Sequence, residues 1–479
     1  MNYQDAIDYI NSFVDYEKEP GMGRDDGLEG LDRVRLLMRL LGNPQRHFNS
    51  IVVAGTNGKG SVSAVMESIL RQDGYRTGLY TSPHLHTFRE RIRVDGEMIS
   101  PADLAHYTEV VQEVVSRIIR LMEPSLVPTT YEITTAIAFL HFREVGVDMA
   151  VLEVGLGGRL DAVNIVTPVV SVLTAISLDH TRVLGNTIAE IAREKAGIIK
   201  DEGNVITAPQ VPEAMTVIKQ VAAEHRASLA IVGRDPYISG DKLPEMVSDE
   251  EGIPIYQSFD IGFKSEVEDV PDSKMRVKLP LLGGHQQINA AIAMAAMRTL
   301  NILGMPISGE AVLEGIERVV WPGRMEVIQR DPLVMADGAH NPASMTKLKQ
   351  AMGELFHRSR LIIVLGLSSD KDIEGFIYEL YSWSGSILGL TIEHVIVTRS
   401  QHPRAADPGV VLREVERRQL KVEVVDTVPG ALLRAEGIAR GLSYGGGDRP
   451  IVLVTGSLFV VAEAREYFGL KPDLSEELA

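Results

Sequence analysis

The chain has 479 residues, of which 45% are hydrophobic, enough for two domains with buried cores of their own. Its formal net charge of −17 argues against a broad nucleic-acid or membrane surface, since such surfaces are rich in lysine and arginine. The absence of cysteine excludes disulfides and thiolate metal sites.

No apolar run reaches the length of a transmembrane helix, and residues 1–5 lack the basic and apolar pattern of a secretory signal. We therefore expect a cytoplasmic protein whose partners are small molecules, with neither nucleic acid nor membrane among them. We also expect it to act as a monomer.

The first part of the chain predicts an α/β domain over residues 1–303. After helices within residues 1–48, apolar strands are predicted at 50–54, 148–154 and 169–175, with helical patterns between them. Such strands imply a P-loop-type, doubly wound, mostly parallel sheet, in which ligands lie at the carboxyl ends of the strands. Residues from about 232 to 280 predict an excursion of hairpins or loops.

A second, smaller, Rossmann-like α/β domain is predicted over residues 304–479. Gly304, Pro306 and Gly309 mark the boundary, because glycine and proline cluster in linkers. The strands predicted beyond it are 361–365, 395–398, 421–425 and 451–454.

The first strand ends in a glycine-rich sequence, residues 55–61, and a helical pattern follows at once. Strand, glycine-rich turn and helix predict a phosphate-binding loop, whose N–H groups and Lys59 hold phosphate oxygens. The alternative is a glycine-rich turn with a surface lysine. Gly60 separates Lys59 from Ser61, where the common pattern has no insertion, and this variant favours ATP-dependent amide ligases of the Mur type.

Two polar side chains follow other predicted strands of the same sheet. Glu153 ends an apolar run, where a carboxylate is costly unless it binds a cation or accepts hydrogen bonds. It is a candidate metal ligand, or else the partner of a neighbouring arginine. His180 follows the strand at 169–175 and shares the rim with the phosphate-binding loop. By composition alone, Lys195 is typical of an exposed helix lysine.

In the second half, Arg324 is a candidate phosphate clamp, and Asp337 is a candidate ligand of a ribose hydroxyl or a metal. Asn341 and Pro342 are typical of a helix start. A turn or a helix cap explains each of these residues equally well.

Taken together, these segments resemble the folylpolyglutamate synthase/dihydrofolate synthase family, a branch of the Mur ligase superfamily. The matching motifs occur in the family's order between about residues 25 and 460. They are residues 55–61, 81–85 with 88–92, 130–132, 153–164, 178–180, 194–197, 284–289, 321–324 and 337–342.

The resemblance implies a ligase that binds ATP with magnesium. The carboxylate of dihydropteroate, of a tetrahydrofolate (poly)glutamate, or of both attacks the γ-phosphate and gives an acyl phosphate. The amine of L-glutamate then displaces phosphate and forms an amide. Two alternatives stay open at this point: a Mur-type amide ligase for another carboxylate, and a non-catalytic nucleotide-binding paralogue.

The resemblance also assigns roles position by position. The catalytic residues it implies are Lys59, Lys195 and His180. Those implied for ATP are Asn57, Gly58, Lys59, Gly60, Ser61, Asn289, Arg324, Asp337 and His340. The implied ligands of two magnesium ions are Ser82, Glu153, His180 and Lys195, the last as a carbamylated lysine. The implied substrate contacts are Gly30, Arg33, Thr130, Leu160, Asp161 and Ala162. Activation by a monovalent cation also fits the resemblance.

Overall fold

The computed structural model describes residues 1–14, 31–122, 124–238, 245–264, 273–383, 389–443, 450–474 and 477. Within these ranges the first half of the chain forms an eight-stranded sheet in the order β4-β3-β2-β5-β1-β6-β7-β8. Its strands are β1 (Asn49–Ala54), β2 (Thr77–Tyr80), β3 (Ile92–Val94), β4 (Glu97–Met98), β5 (Met149–Glu153), β6 (Val170–Leu173), β7 (Asn204–Thr207) and β8 (Ser228–Ile231).

Only the edge pairs β2–β3 and β3–β4 of this sheet are antiparallel; the other pairs are parallel. The central strands are buried on both faces, which explains their uninterrupted apolar sequences. The sheet is therefore the doubly wound, mostly parallel type that the sequence predicts.

Helices cover both faces of this sheet and form two separate cores. The helices of this half are α1 (Tyr3–Asn11), α2 (Asp32–Leu40), α3 (Lys59–Gln72), α4 (Pro101–Leu121), α5 (Thr130–Val145), α6 (Thr181–Leu184), α7 (Ile188–Ala196), α8 (Pro212–Glu224), α9 (Gly284–Ile302) and α10 (Gly309–Glu317). One core includes buried residues of α4, α5, α7 and α8, and the other includes those of α3, α9 and α10.

Helix α10 packs closely on α3. A Cβ atom on Gly315 would lie 2.4 Å from the Ile69 Cα, so only glycine permits this approach. The Ser68 hydroxyl also donates to the Gly315 carbonyl at 2.7 Å. These contacts join α10, which follows the predicted domain boundary, to the first half of the chain. The boundary between residues 303 and 304 stays a prediction.

The described part of the region from 232 to 280 contains a small antiparallel sheet. Its strands are β9 (Tyr237–Ile238), β10 (Glu245–Ser248), β11 (Pro254–Phe263) and β12 (Ser273–Leu279). Buried residues of β11 and β12 belong to the same core as α9, so this sheet packs against the first half of the chain.

The second half forms a six-stranded sheet in the order β13-β14-β18-β15-β16-β17, parallel except for the pair β13–β14. The strands are β13 (Glu326–Gln329), β14 (Leu333–Ala336), β15 (Arg360–Leu365), β16 (Thr391–Val397), β17 (Val422–Val424) and β18 (Pro450–Thr455). The helices are α11 (Pro342–Leu355), α12 (Ile373–Tyr381), α13 (Pro408–Arg417), α14 (Val428–Ser443) and α15 (Leu458–Tyr467).

A cavity of about 1050 Å³ lies between the two large sheets. It is lined by the segments that follow β1, β5 and β6 of the first sheet and β14, β15 and β18 of the second. Ligand sites of open α/β sheets lie at the carboxyl ends of their strands, so this cavity is the place where both sheets present functional side chains. In the described part of the chain, the helices are too short or too polar to cross a membrane.

Candidate active site

The glycine-rich sequence predicted to bind phosphate leads directly from β1 into α3. Gly58 caps α3 with a φ of +93°, and a Cβ atom there would lie 2.7 Å from the Asn289 Oδ1 atom. A Cβ atom on Gly60 would lie 2.9 Å from the Trp321 ring. Close neighbours therefore require glycine at both positions. The first turn of α3 lines the cavity, and the N–H groups of a first helical turn have no partner within the helix, so they are available to an anion.

Lys59 and Glu153 face each other across this loop. The Lys59 Nζ atom lies 4.0 Å from the Glu153 Oε1 atom and donates to the Thr56 carbonyl at 3.4 Å. The other carboxylate oxygen of Glu153 accepts from the Ser82 N–H at 3.3 Å. The buried Glu153 carboxylate thus contacts Lys59 and the Ser82 N–H, which belong to two cavity-lining segments. It is not simply the partner of one neighbouring arginine.

Lys195 is buried, which corrects the interpretation from composition that it is an exposed helix lysine. Its side chain crosses from α7 to the phosphate-binding loop, where Nζ donates to the Gly55 carbonyl at 2.8 Å. Burial, together with the charge of Lys59, lowers the pKa of Lys195 to about 7. A large fraction of this amine is therefore neutral near pH 7, unlike that of a surface lysine.

Hydrogen bonds fix the end of α7 to the loop predicted to contact substrate. The Arg159 N–H donates to the Glu194 carbonyl at 2.8 Å. The Asn164 side chain donates to the carbonyls of Arg159 and Gly197, both at 3.0 Å. Lys200 in turn donates to the backbone and side-chain oxygens of Asn164, both at 2.8 Å. Lys195 therefore has a fixed position relative to this loop.

His180 lies at the boundary between the two halves of the chain. Its backbone φ of +48° is in the left-handed region, which is unusual for a residue with a side chain. Its Nε2 atom is 3.3 Å from the Lys371 Nζ atom of the second half. Burial and the charge of Lys371 lower the pKa of His180 to about 4, so its imidazole is neutral at pH 7 and suited to metal binding.

Asp179 is the centre of the polar contacts across this boundary. It accepts from Lys371 at 2.8 Å and from the Asn341 side chain at 3.3 Å, and the His340 Nε2 atom is 3.8 Å away. Burial alone would raise the pKa of Asp179, but the nearby His340 imidazole and the charge of Lys371 outweigh it. The pKa is lowered far below its usual range and the carboxylate stays ionised.

Arg324 and Asp337 form the wall of the cavity that belongs to the second half. The Asp337 carboxylate accepts from the N–H groups of Met325 at 2.9 Å and Ala339 at 2.8 Å. Burial raises the pKa of Asp337, although the charge of Arg324 acts in the opposite direction. Burial lowers the pKa of Arg324, although the charges of Asp337 and Glu153 oppose this shift. The Arg324 guanidinium thus interacts electrostatically with a carboxylate from each half of the chain, Asp337 and Glu153.

The cavity brings together nearly all of the predicted site residues that the structure describes. Those that line it are Arg33, Asn57, Gly58, Lys59, Gly60, Ser61, Ser82, Glu153, Leu160, Asp161, Ala162, His180, Lys195, Asn289, Arg324, Asp337 and His340. Gly30 lies outside the described residues.

Thr130 is placed differently from the other predicted substrate residues, because it does not line the cavity. Its hydroxyl donates to the carbonyls of Ile10 and Phe13, both at 3.1 Å, and so attaches α5 to the end of α1. Beside it, Arg33 forms an ion pair with Glu132 at 3.2 Å, and both of these residues do line the cavity.

Comparisons with known proteins agree with this geometry. The Mur ligase middle domain matches residues 53–297, and the Mur ligase glutamate ligase domain matches residues 323–458. The dihydrofolate synthase/folylpolyglutamate synthase of Bacillus subtilis (strain 168) is 35% identical over 97% of this chain and 98% of its own length. The chain belongs to the folylpolyglutamate synthase/dihydrofolate synthase branch of the Mur ligase family. It is an ATP-dependent ligase.

Solved structures place the fold in the same family. Mycobacterium tuberculosis folylpolyglutamate synthase complexed with ADP has a TM-score of 0.84 at 31% identity, covering 98% of this chain and 99% of that one. E. coli FolC in complex with DHPP and ADP has a TM-score of 0.77 at 30% identity, covering 98% of each chain. The predicted family, fold class and type of enzyme are confirmed.

The donors present in this Mur ligase fit magnesium only in part. Among the described residues, no group of three or more His, Asp and Glu side chains is arranged to hold a metal ion. The predicted ligand set contains one carboxylate, Glu153, with Ser82, His180 and Lys195. Magnesium is commonly held by one or two carboxylates together with substrate phosphates, so Glu153 beside the phosphate-binding loop fits this mode. A second ion would need a further anionic oxygen.

Sequence reasoning missed Lys371 and Arg404, which also line the cavity of this ligase. Lys371 contacts Asp179 and His180, and Arg404 forms an ion pair with Asp370 at 2.8 Å. The signal was present in the sequence, because the polar residues 368–372 follow the apolar strand β15 as His180 follows the strand predicted at 169–175. The argument that singled out His180 also applies there.

Proposed function

We propose that this ligase joins L-glutamate to the carboxylate of dihydropteroate, of a tetrahydrofolate (poly)glutamate, or of both. The observation that carries the proposal is the single cavity in which Lys59, Glu153 and Lys195 meet the loop containing Leu160 and the second-half residue Arg324. Related solved structures support it, because one is a complex with DHPP and ADP and another is a complex with AMPPCP and folate.

In the first step, a carboxylate oxygen of the acceptor bonds to the γ-phosphorus of ATP, and the bond to the ADP oxygen breaks. Little acid–base chemistry is needed, so the protein contributes mainly alignment and charge stabilisation. Lys59 and the N–H groups at the start of α3 stabilise the charge on the transferring phosphoryl group. Magnesium, when bound at Glu153, would neutralise phosphate charge in the same place.

In the second step, the amine nitrogen of glutamate bonds to the acyl carbon, phosphate leaves and the amine loses a proton. On the side of the second half, the cavity is lined by Lys371, Arg404 and His340. Lys371 and Arg404 are paired with Asp179 and Asp370, so this wall offers hydrogen-bond donors rather than net positive charge to the carboxylates of glutamate. Because both halves of the chain line the cavity, closer docking of the second half would keep water away from the acyl phosphate.

The direct test is phosphate release from Mg-ATP in the presence of glutamate, with dihydropteroate and tetrahydrofolate offered separately and products identified by mass. We expect glutamate to be added to at least one of them. Addition to both would define a bifunctional enzyme, and addition to one would name the activity. If neither is extended while ATP still binds, the acceptor is a different carboxylate, the second candidate from the sequence.

We further propose that Lys195 is carbamylated and supplies the anionic oxygen that a second magnesium ion needs. Its buried amine beside the phosphate-binding loop supports this, and so does its pKa of about 7, because only a neutral amine reacts with carbon dioxide. Intact-mass spectrometry in bicarbonate should show one added carbon dioxide, absent in Lys195→Met. The modified fraction should decrease as the pH falls below 7. An unmodified Lys195 under conditions of full activity would contradict the proposal.

Two finer expectations depend on solution measurements. We propose activation by a monovalent cation, which a potassium titration of the ligation rate tests. We also propose a monomer in the cytoplasm, and sedimentation of the purified ligase tests the first part of that statement.

A further inference from the structure

One contact joins the phosphate-binding loop of the first half to the start of α11 in the second. The side-chain amides of Asn57 and Asn341 form a reciprocal pair across the boundary. Asn57 Nδ2 donates to Asn341 Oδ1 at 3.3 Å, and Asn341 Nδ2 donates to Asn57 Oδ1 at 3.1 Å. Two parallel hydrogen bonds fix the relative orientation of the two segments as well as their distance.

Both amides are held firmly on their own side. Asn341 is only 2% exposed and is the N-cap of α11, where its Oδ1 atom also accepts from the Ser344 N–H at 2.9 Å. Asn57 donates its backbone N–H to the Ala175 carbonyl at 3.2 Å, and its Nδ2 atom lies 3.4 Å from the Ser177 hydroxyl. A movement of α11 is therefore transmitted directly to the phosphate-binding loop.

The Asn341 amide also lies beside the second contact across the boundary. Its Nδ2 atom donates to one oxygen of Asp179 at 3.3 Å, and the other oxygen of Asp179 accepts from Lys371 at 2.8 Å. A single side chain thus connects the helix cap, the phosphate-binding loop and the Asp179–Lys371 ion pair. When the second half moves away, the Asn57 amide loses both of its bonds to Asn341.

We propose that Asn341 is a positioning residue that couples nucleotide binding to docking of the second domain, acting through Asn57. With the second domain docked, the amide pair holds the loop in the conformation that directs Lys59 and the first turn of α3 to the cavity. By thermodynamic linkage, bound ATP favours docking by the same factor by which docking favours ATP. The inference rests on ATP binding at the loop and does not depend on which acceptor is used.

A double-mutant cycle tests this coupling. Serine is a good N-cap, so Asn341→Ser keeps the cap of α11 but is too short to reach Asn57. Asn57→Ser removes the other half of the pair. The measured quantity is the Kd for the non-hydrolysable analogue AMPPCP, obtained by calorimetry, with the melting temperature recorded for each variant. Asp407→Ser is the matched control, because Asp407 is the exposed N-cap of α13, outside the cavity.

We expect each single variant to weaken AMPPCP binding by about five- to tenfold, within the usual range of coupling between sites. The double variant should be no weaker than the weaker single variant, and Asp407→Ser should bind as the wild type does. Small-angle scattering should also show less compaction on adding AMPPCP in Asn341→Ser. Losses that multiply in the double variant, or an Asn341→Ser protein with wild-type affinity, would overturn the inference.

These readouts are separate from the test of the acceptor. If wild-type protein binds AMPPCP but extends neither dihydropteroate nor tetrahydrofolate, the acceptor proposal fails while the cycle still decides the coupling. If the acceptor is extended but the losses of AMPPCP affinity multiply in the double variant, only the proposed coupling through Asn341 fails.

Discussion

Replacing Lys59 with alanine should lower the ligation rate by about 10²- to 10³-fold, the usual loss when one group that stabilises transition-state charge is removed. The Lys59 Nζ atom lies at the phosphate-binding loop, 4.0 Å from Glu153, and its side chain is 18% exposed. Its side chain lines the cavity rather than contributing to a hydrophobic core, and alanine is well tolerated at the start of a helix. The fold should therefore persist, with an unchanged circular dichroism spectrum and a similar melting temperature.

Two further variants separate the causes of this loss. The charge of Lys59 also lowers the pKa of Lys195, so Lys59→Ala would favour the protonated form of that buried amine. Lys59→Arg keeps the charge but presents a planar group in place of a compact ammonium. If the arginine variant regains activity, the charge and its effect on Lys195 dominate; if it stays inactive, the geometry at the phosphate dominates. Lys219→Ala, at an exposed position of α8, is the control. Wild-type turnover in Lys59→Ala would contradict the phosphate role.

Local patterns predicted the parts of this fold that local physics determines. The strands β1, β5 and β15 were visible because a strand buried on both faces must be apolar throughout. The start of α11 was visible because Asn341 and Pro342 satisfy the needs of a first helical turn. The phosphate-binding loop was visible because a positive φ, as at Gly58, favours glycine whatever residues lie nearby.

Features that depend on long-range packing were not predictable in the same way. Lys195 lies on an amphipathic helix with an ordinary sequence, and its burial results from the loop 140 residues earlier in the chain, to which it donates a hydrogen bond. Lys371 meets Asp179 only because the second sheet docks against the rim of the first. The hydroxyl of Thr130 donates to backbone carbonyls near α1, a contact that its motif does not indicate, and its role in substrate binding stays a prediction. Composition and spacing carry no information on such contacts.

Replacing Glu153 with glutamine should raise the magnesium concentration needed for half-maximal activity by at least about tenfold, in the range found when groups that support metal binding are removed. Glutamine keeps an oxygen that can accept the Ser82 N–H, now 3.3 Å from the carboxylate, so the local structure should persist. What is lost is the negative charge beside Lys59 that the proposed magnesium ion would meet. Turnover should be titrated with magnesium at saturating ATP, with Glu213→Gln on the exposed side of α8 as the control.

A second titration distinguishes a metal ligand from a structural ion pair. Without magnesium, the Glu153 carboxylate repels the phosphates of ATP, so Glu153→Gln should bind metal-free ATP at least as tightly as the wild type does. With magnesium present, the order should reverse, because the ion loses its protein carboxylate. A structural partner of Lys59 would instead weaken binding in both titrations by a similar factor. An unchanged magnesium titration would remove Glu153 from the metal site, and the opposite responses of the two titrations would place the ion between this carboxylate and the phosphates.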